Sequence, residues 1–210
     1  MKIEYLKQAW LVLLLALIFA AALAGVQAQL QGRIDENKIN ETYDQIPDLV
    51  YVEDGGVRKP ALQELTKELT LGGKKVYKAF REEQGAEGKP VGGKVHVGWV
   101  VRASGQGFAD KIELLIGLDA RAERILGIYV LDQKETPGLG DKINPRNDWD
   151  DRFVGKSALE DLTAVKAAPK GNEIQAITGA TVSSQSVCKI VNKAVIEFRN
   201  ALITEKILTD

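Results

Sequence analysis

Cysteine, histidine and methionine each occur once in the 210 residues, as Cys188, His96 and Met1, and aromatic residues make up only 6%. One cysteine excludes an intrachain disulfide and a multi-cysteine metal site, and one histidine leaves no cluster for zinc, so no metal ligand set is expected. Charge of one sign is lacking too. With 28 Lys and Arg against 29 Asp and Glu, the formal net charge is -1. That balance removes the electrostatic case for nucleic acid as a partner, and no basic run with interleaved aromatics appears. Internal repeats and low-complexity tracts are absent. So are a nucleophile elbow and paired carboxylates at a catalytic spacing, so no catalytic residue is assigned. Gly92-Gly93-Lys94 lacks the flanks of a P-loop, and Gly105-Gln106-Gly107 lacks the third glycine of a dinucleotide fingerprint. Both read as turns.

What the chain does contain is an ordinary globular balance, 45% hydrophobic and 27% charged, behind one long apolar run. Ala9 to Val26 is uncharged and dominated by Leu and Ala, reaching the length of a membrane span of roughly 18 residues. Lys2 and Lys7 precede it and Arg33 and Lys38 follow, a distribution that mildly favours a cytoplasmic N-terminus. One reading is a retained anchor. The other is a cleaved signal peptide ending at Val26-Gln27-Ala28, where small residues suit a peptidase. Both place residue 29 onward outside the cytoplasm. The division expected is a membrane anchor over 1–28, a helical lead-in over 29–48 and one domain over 49–210.

Within that domain the pattern is α+β. Val50-Tyr51-Val52 is a short β-like run before a turn at Asp54-Gly55-Gly56. Ala61–Leu71 reads as a helix stopped by Gly72-Gly73, Val76–Phe80 as a strand, and Arg81–Pro90 as a polar loop. Val95, Val97 and Trp99 alternate with His96 and Gly98. Lys111–Leu118 alternates through Ile112, Leu114 and Ile116, and Ile125–Leu131 follows after a turn at 119–123. Short consecutive strands of this kind predict a mainly antiparallel meander packed by helices. Val187, Ile190, Val191, Ala194, Val195, Phe198 and Leu202 recur at helical spacing. His96 and Cys188 read as structural, the latter as a small core residue.

Two loops carry the chemistry. Ile177-Thr178-Gly179-Ala180-Thr181-Val182-Ser183-Ser184 crowds hydroxyls around a tight turn, immediately before the last helix. A helix start offers unpaired N–H groups and the positive end of a dipole, so the turn suits a phosphate; a plain Ser/Thr helix cap is the alternative. The second loop, Lys134-Glu135-Thr136-Pro137-Gly138-Leu139-Gly140, places Pro and two Gly within four positions and so specifies a rigid connection.

Thr178-Gly179-Ala180-Thr181 resembles the signature of the FMN-binding domains of Rnf and sodium-translocating NADH:quinone reductase complexes, and Glu135 to Gly140 matches that family's second loop residue for residue. Gly105-Gln106-Gly107-Phe108, and Trp149 with Phe153-Val154-Gly155-Lys156, match it in texture, so the resemblance runs from about Gly98 to Ile196. Length and the single anchor resemble the G subunit of the Rnf type. The resemblance implies FMN attached through its phosphate to Thr181 by a dedicated flavin transferase, with Thr178, Gly179, Ala180 and Ser183 around it. With FMN held in that way, Thr136, Gly138, Leu139 and Gly140 are the candidate floor or edge for the isoalloxazine. Glu135 orients that loop, meets the flavin, or is a surface carboxylate. Lys166, in an expected strand, is a candidate for phosphate or ring contact. The implied setting is the inner membrane, with a single pass and iron–sulfur and flavin subunits as partners in a pump coupling ferredoxin oxidation and NAD reduction to ion transport. One position departs from the pattern: Gln175 stands where the family commonly has Asp, six residues before Thr181. A flavin-free assembly or sensing module, or the quinone-reductase counterpart, are the alternative readings.

Overall fold

The computed structural model describes residues 2–54, 57–60, 64–65, 69–84 and 90–207. The expected turn residues at 55–56, parts of the expected helix over 61–71, and residues 85–89 of the expected loop lie outside them. The chain divides into two compact units, Met1–Glu41 and Thr42–Asp210. In the first, helix α1 (Lys2–Leu49) begins, and it continues without a break through residues 29–48. Its stretch Ala9–Ile34 has 26 residues, all exposed, and the most apolar eighteen of them have a mean hydropathy of 2.7. At about 1.5 Å rise per residue such a stretch exceeds the roughly 30 Å hydrocarbon core, so it is long and apolar enough to cross a bilayer.

The second unit carries ten strands among the described residues. Strands β1 (Tyr51–Asp54) and β2 (Val57–Pro60) form an antiparallel hairpin. Then come β3 (Glu64–Leu65), β4 (Leu69–Leu71), β5 (Lys74–Gln84), β6 (Pro90–Gln106), β7 (Lys111–Asp119) and β8 (Ile125–Asp132). These six form one antiparallel sheet in the order β3-β5-β6-β7-β8, with β4 also on β5. The expected meander is therefore present. The helix expected over 61–71 is not: Glu64–Leu65 and Leu69–Leu71 are strands paired to β5. The apolar spacing that suggested a helix is satisfied instead by pairing along a strand eleven residues long. The turn expected at Gly92-Gly93-Lys94 and the loop beginning at Arg81 are likewise absorbed into β6 and β5. Three short 3-10 turns (Gly140–Ile143, Pro145–Asn147 and Asp150–Phe153) lead to a small parallel pair, β9 (Thr163–Val165) and β10 (Glu173–Gln175). Helix α2 (Thr181–Thr204) ends the fold.

Period-2 alternation decides which side chain goes to which face. Ile112, Leu114, Ile116 and Leu118 of β7 point to the α2 side and pack with Val187, Val191, Val195 and Phe198. Leu115 points the other way, into a smaller cluster with Leu49, Val50, Tyr77, Ala79 and Val100. Both faces of the sheet are covered, which is why β7 carries no polar side chain from Leu114 to Leu118. Each such fully buried aliphatic side chain stabilises by about 1.5–3 kcal/mol. Trp99 is central: its ring meets Phe198 at 5.3 Å and His96 at 4.6 Å between centroids, and its indole N–H donates to the Ala120 carbonyl at 3.1 Å. Burial pushes the His96 imidazole below its ordinary value and the Cys188 thiol up to about 12. Cys188 is therefore a protonated core thiol.

At the outer edge of the sheet, the start of β8 is met by residues 155–158. Ile125 N–H donates to the Lys156 carbonyl at 2.9 Å, Gly155 N–H to the Ile125 carbonyl at 2.8 Å, and Ala158 N–H to the Glu123 carbonyl at 2.8 Å.

Candidate functional site

Helix α2 starts on a turn that its sequence dictates. Ala180 N–H donates to the Ile177 carbonyl at 3.0 Å, and Gly179 sits at φ +83, as the third residue of a type II turn requires. A Cβ at Gly179 would lie 3.0 Å from Leu139 Cδ2, so the turn also rests directly on the second loop. Gly179→Ala combines that contact with a left-handed backbone and is expected to lower stability by about 1–2 kcal/mol, read as a fall in the urea midpoint of the full chain in detergent.

The helix N-cap is Ala180, which supplies no side-chain hydrogen bond. The expected alternative, a Ser/Thr cap, is not what these hydroxyls provide. Ser184 Oγ accepts from Ile177 N–H at 3.0 Å and donates to the Ala180 carbonyl at 3.0 Å, locking the turn to the helix from within. Ser183 Oγ donates to Glu135 Oε2 at 2.5 Å. Thr181 is the first helical residue and half-buried, and among the described residues no side chain caps the first-turn amides. They are left as donors for something outside the chain.

Glu135 is the joint of the site. It is only 4% exposed, which overturns its reading as a surface carboxylate. Besides accepting from Ser183, its carboxylate accepts from Ala109 N–H at 3.0 Å, and its own N–H donates to Gln133 Oε1 at 2.6 Å. One side chain thus ties the 107–110 turn, the 134–140 loop and the start of α2 together. The glycines at this joint are there for space. A Cβ at Gly107 would strike Glu135 Oε1, and one at Gly140 would sit 2.7 Å from Ser183 Oγ. The loop itself is closed by Leu139 N–H donating to the Thr136 carbonyl at 3.1 Å, with Gly138 at φ +77.

These elements surround a cavity of about 680 Å³, within the range of about 300–1,000 Å³ for ligand sites. Of the residues singled out in the sequence, Thr136, Leu139, Gly140, Lys166, Thr178, Gly179, Ala180, Thr181 and Ser183 line it. Glu135 and Gly138 are not in the lining: Glu135 is buried beside it, and Gly138 is exposed. Lys166 lies one residue past β9 rather than within a strand, and is exposed. Phe108 and Val182 also line the cavity and carried no site assignment in the sequence. A lone Phe beside a Gly-rich turn reads as filler until the loops are brought together.

The lining has one cation, Lys166, four hydroxyl side chains and no carboxylate or imidazole. Together with an uncapped helix start, that chemistry selects an anion. An elongated cofactor with a phosphate at one end and an apolar ring at the other fits this donor set, and FMN is such a molecule. The lining offers no carboxylate or imidazole as general base for Thr181. Among the described residues no group of His, Cys, Asp and Glu is placed to hold a metal ion.

Gln175, the position departing from the family pattern, has an exposed side chain. Its main chain does the structural work, the carbonyl accepting from Trp149 Nε1 at 2.9 Å and from Arg152 Nη1 at 2.8 Å. The aromatic segment is thereby fastened to β10, just ahead of the Thr181 turn.

Comparison with known proteins agrees with this geometry. Residues 107–196 match the FMN-binding domain family. The chain is 31% identical over 208 residues to the G subunit of the ion-translocating oxidoreductase complex of Shewanella baltica, an alignment covering 95% of this chain and 92% of that one. It is 41% identical over 107 residues to the G subunit of the Na(+)-translocating ferredoxin:NAD(+) oxidoreductase complex of Acetobacterium woodii. That second alignment, like several others, spans about half the length of each chain, 50% of both in this case. Among solved structures, NqrC of Shewanella oneidensis superposes with a TM-score of 0.52 at 22% identity, over 63% of this chain and 60% of that one, a likeness of fold.

Proposed function

The chain belongs to the G-subunit family of ion-translocating oxidoreductase complexes, and on that premise we propose that it is a membrane-anchored electron carrier bearing FMN esterified through its phosphate to Thr181. The observation that carries this reading is the uncapped start of α2, opening into a cavity whose lining contains Lys166 and four hydroxyls but no acid.

In this reading the first-turn amides and the Lys166 ammonium neutralise the phosphate. Thr178 and Thr136 offer further hydroxyls from neighbouring loops. Thr181 supplies the acceptor oxygen, held at the first helical position where its side chain faces the cavity. A threonine hydroxyl is a weak nucleophile, and the lining has no carboxylate or imidazole to activate it, so attachment requires a separate flavin transferase. Gly179 lets the turn rest on Leu139, Gly140 lets the loop close on Ser183 and Glu135, and Leu139 lies over the Thr178–Gly179 turn as part of the ring floor. Bound FMN would supply one- and two-electron redox chemistry, while the protein supplies position and electrostatics.

The apolar stretch Ala9–Ile34 anchors the chain in the cytoplasmic membrane, with the cofactor domain on the outer side. A covalent link suits that side, where a dissociating cofactor would be lost. The partners in this reading are the iron–sulfur and flavin subunits of a pump that couples ferredoxin oxidation and NAD reduction to ion transport. The carrier by itself turns over no metabolite.

Intact-mass measurement of the full chain from its own host tests the central point. The expected mass exceeds that of the polypeptide by one FMN less one water. An unmodified polypeptide would remove the covalent carrier from consideration, leaving an anchored domain with an anion-selective cavity.

A further inference from the structure

The cavity has two chemically different ends, and at the apolar end the sequence singled out Leu139 but neither Phe108 nor Val182. Phe108, Leu139 and Val182 line it while remaining 64%, 45% and 52% exposed. Scattered surface apolar side chains are ordinary. These three come from three separate elements: the 107–110 turn, the 134–140 loop and the first turn of α2. They converge on one hollow that already holds the anion-selective donors.

Phe108 is also held where it is. Gly107 N–H donates to the Asp110 carbonyl at 2.8 Å, Ala109 N–H donates to Glu135 Oε1 at 3.0 Å, and Lys134 Nζ lies 3.7 Å from Asp110 Oδ2. The turn that carries Phe108 is therefore closed on itself by Gly107 and Asp110, and its Ala109 side is pinned to the buried joint that also fixes Ser183 and the start of α2. An exposed aromatic side chain on a fixed backbone is a preformed contact surface with little ordering left to pay on binding. Aromatic faces prefer a flat π partner.

We infer that Phe108, with Leu139 and Val182, forms the wall against which the flavin ring docks, and that Phe108 is the positioning residue for the isoalloxazine. This rests on the reading above that FMN occupies the cavity. The division of labour is then simple. The helix start and Lys166 hold the phosphate end, and the three apolar side chains hold the ring end and shield one side of it from water. Because the phosphate end is fixed covalently, removing the wall frees the ring without releasing the cofactor. A partner subunit docking directly on the same rim is the competing use of these side chains.

The test uses the full chain, purified from its own host in detergent, as wild type, Phe108→Ala, Phe108→Tyr and Val182→Ser. Intact mass reports attachment, and iodide quenching of flavin fluorescence reports exposure of the ring. Phe108→Ala is expected to keep the attached mass while the quenching constant rises by up to about fivefold, the population change that loss of one aromatic contact produces. Val182→Ser should rise less, and Phe108→Tyr should stay at the wild-type value. A wild-type chain without the flavin mass overturns the FMN reading and the wall with it. Attached flavin with equal quenching in wild type and Phe108→Ala overturns the wall alone. So does failure of Phe108→Ala to enter the complex with quenching unchanged, which assigns the rim to a partner. Loss of attachment in Phe108→Ala with the wild type loaded also overturns it, because the wall acts after the phosphate is fixed.

Discussion

Thr181→Ala is expected to give a folded, membrane-bound chain that carries no flavin at all. The folded part of that expectation follows from what Thr181 does not do. Its side chain caps nothing, since the N-cap is Ala180 without a side-chain bond. The start of α2 is held instead by Ser184 to Ile177 and by Ser183 to Glu135. Alanine is also the better helix former, so the change in stability should stay within about 0.5 kcal/mol. The chemical part is all-or-none, because alanine has no oxygen to esterify. Thr181→Ser keeps a hydroxyl at the same position and should restore at least part of the loading. The measurement is intact mass, paired with flavin fluorescence on a denaturing gel. Full flavin mass on the alanine variant would move the acceptor to Thr178 or Ser183, the other hydroxyls on this stretch that line the cavity.

Glu135→Ala should damage the fold at the site rather than the chemistry on it. Ser183 is 2% exposed and would keep a hydroxyl with no acceptor, while Ala109 would lose the partner that holds the 107–110 turn. Leaving one buried donor unpaired costs about 1–3 kcal/mol, and the truncated side chain adds a void, so about 2–3 kcal/mol of destabilisation is expected. For a domain of this size that corresponds to a fall in Tm of roughly 5–10 °C. Glu135→Gln has nearly the same shape: its oxygen can accept from Ala109 and its amide can donate to Ser183 Oγ. It should recover most of the loss. Equal destabilisation by Ala and Gln would show that geometry is not what Glu135 contributes. No change with Ala would show that the three loops are held elsewhere.

What the sequence made legible, and what it did not, divides along sequence distance. The strands β7 and β8 and helix α2 were readable because their periodicity is local: Ile112, Leu114, Ile116 and Leu118 alternate, and Val187 through Leu202 recur every three or four residues. The helix expected at 61–71 failed because a few leucines in a short window fit either period, and pairing with β5 decided between them. Glu135 stands at the head of a Pro- and Gly-rich loop, where an acid is ordinarily solvated. Its burial depends on Ser183, 48 residues away, which no local pattern announces. Phe108 is the same case: only the folding of 107–110 against Glu135 brings its ring to the cavity. Conversely, Thr178 through Thr181 were found from the resemblance and from hydroxyl crowding ahead of a helix, and Lys166 from its place upstream of that turn; the fold brings them to one cavity.

The pairing of residues 155–158 with the start of β8 bears on how the protein behaves at high local density in a crowded membrane. A bare strand flank is a template on which an unfolded or neighbouring polypeptide can add itself, the first step toward runaway polymerisation. Here the main-chain groups of Ile125 and Glu123 are already claimed from within the same molecule. At that corner the sheet cannot lengthen by recruiting a stranger.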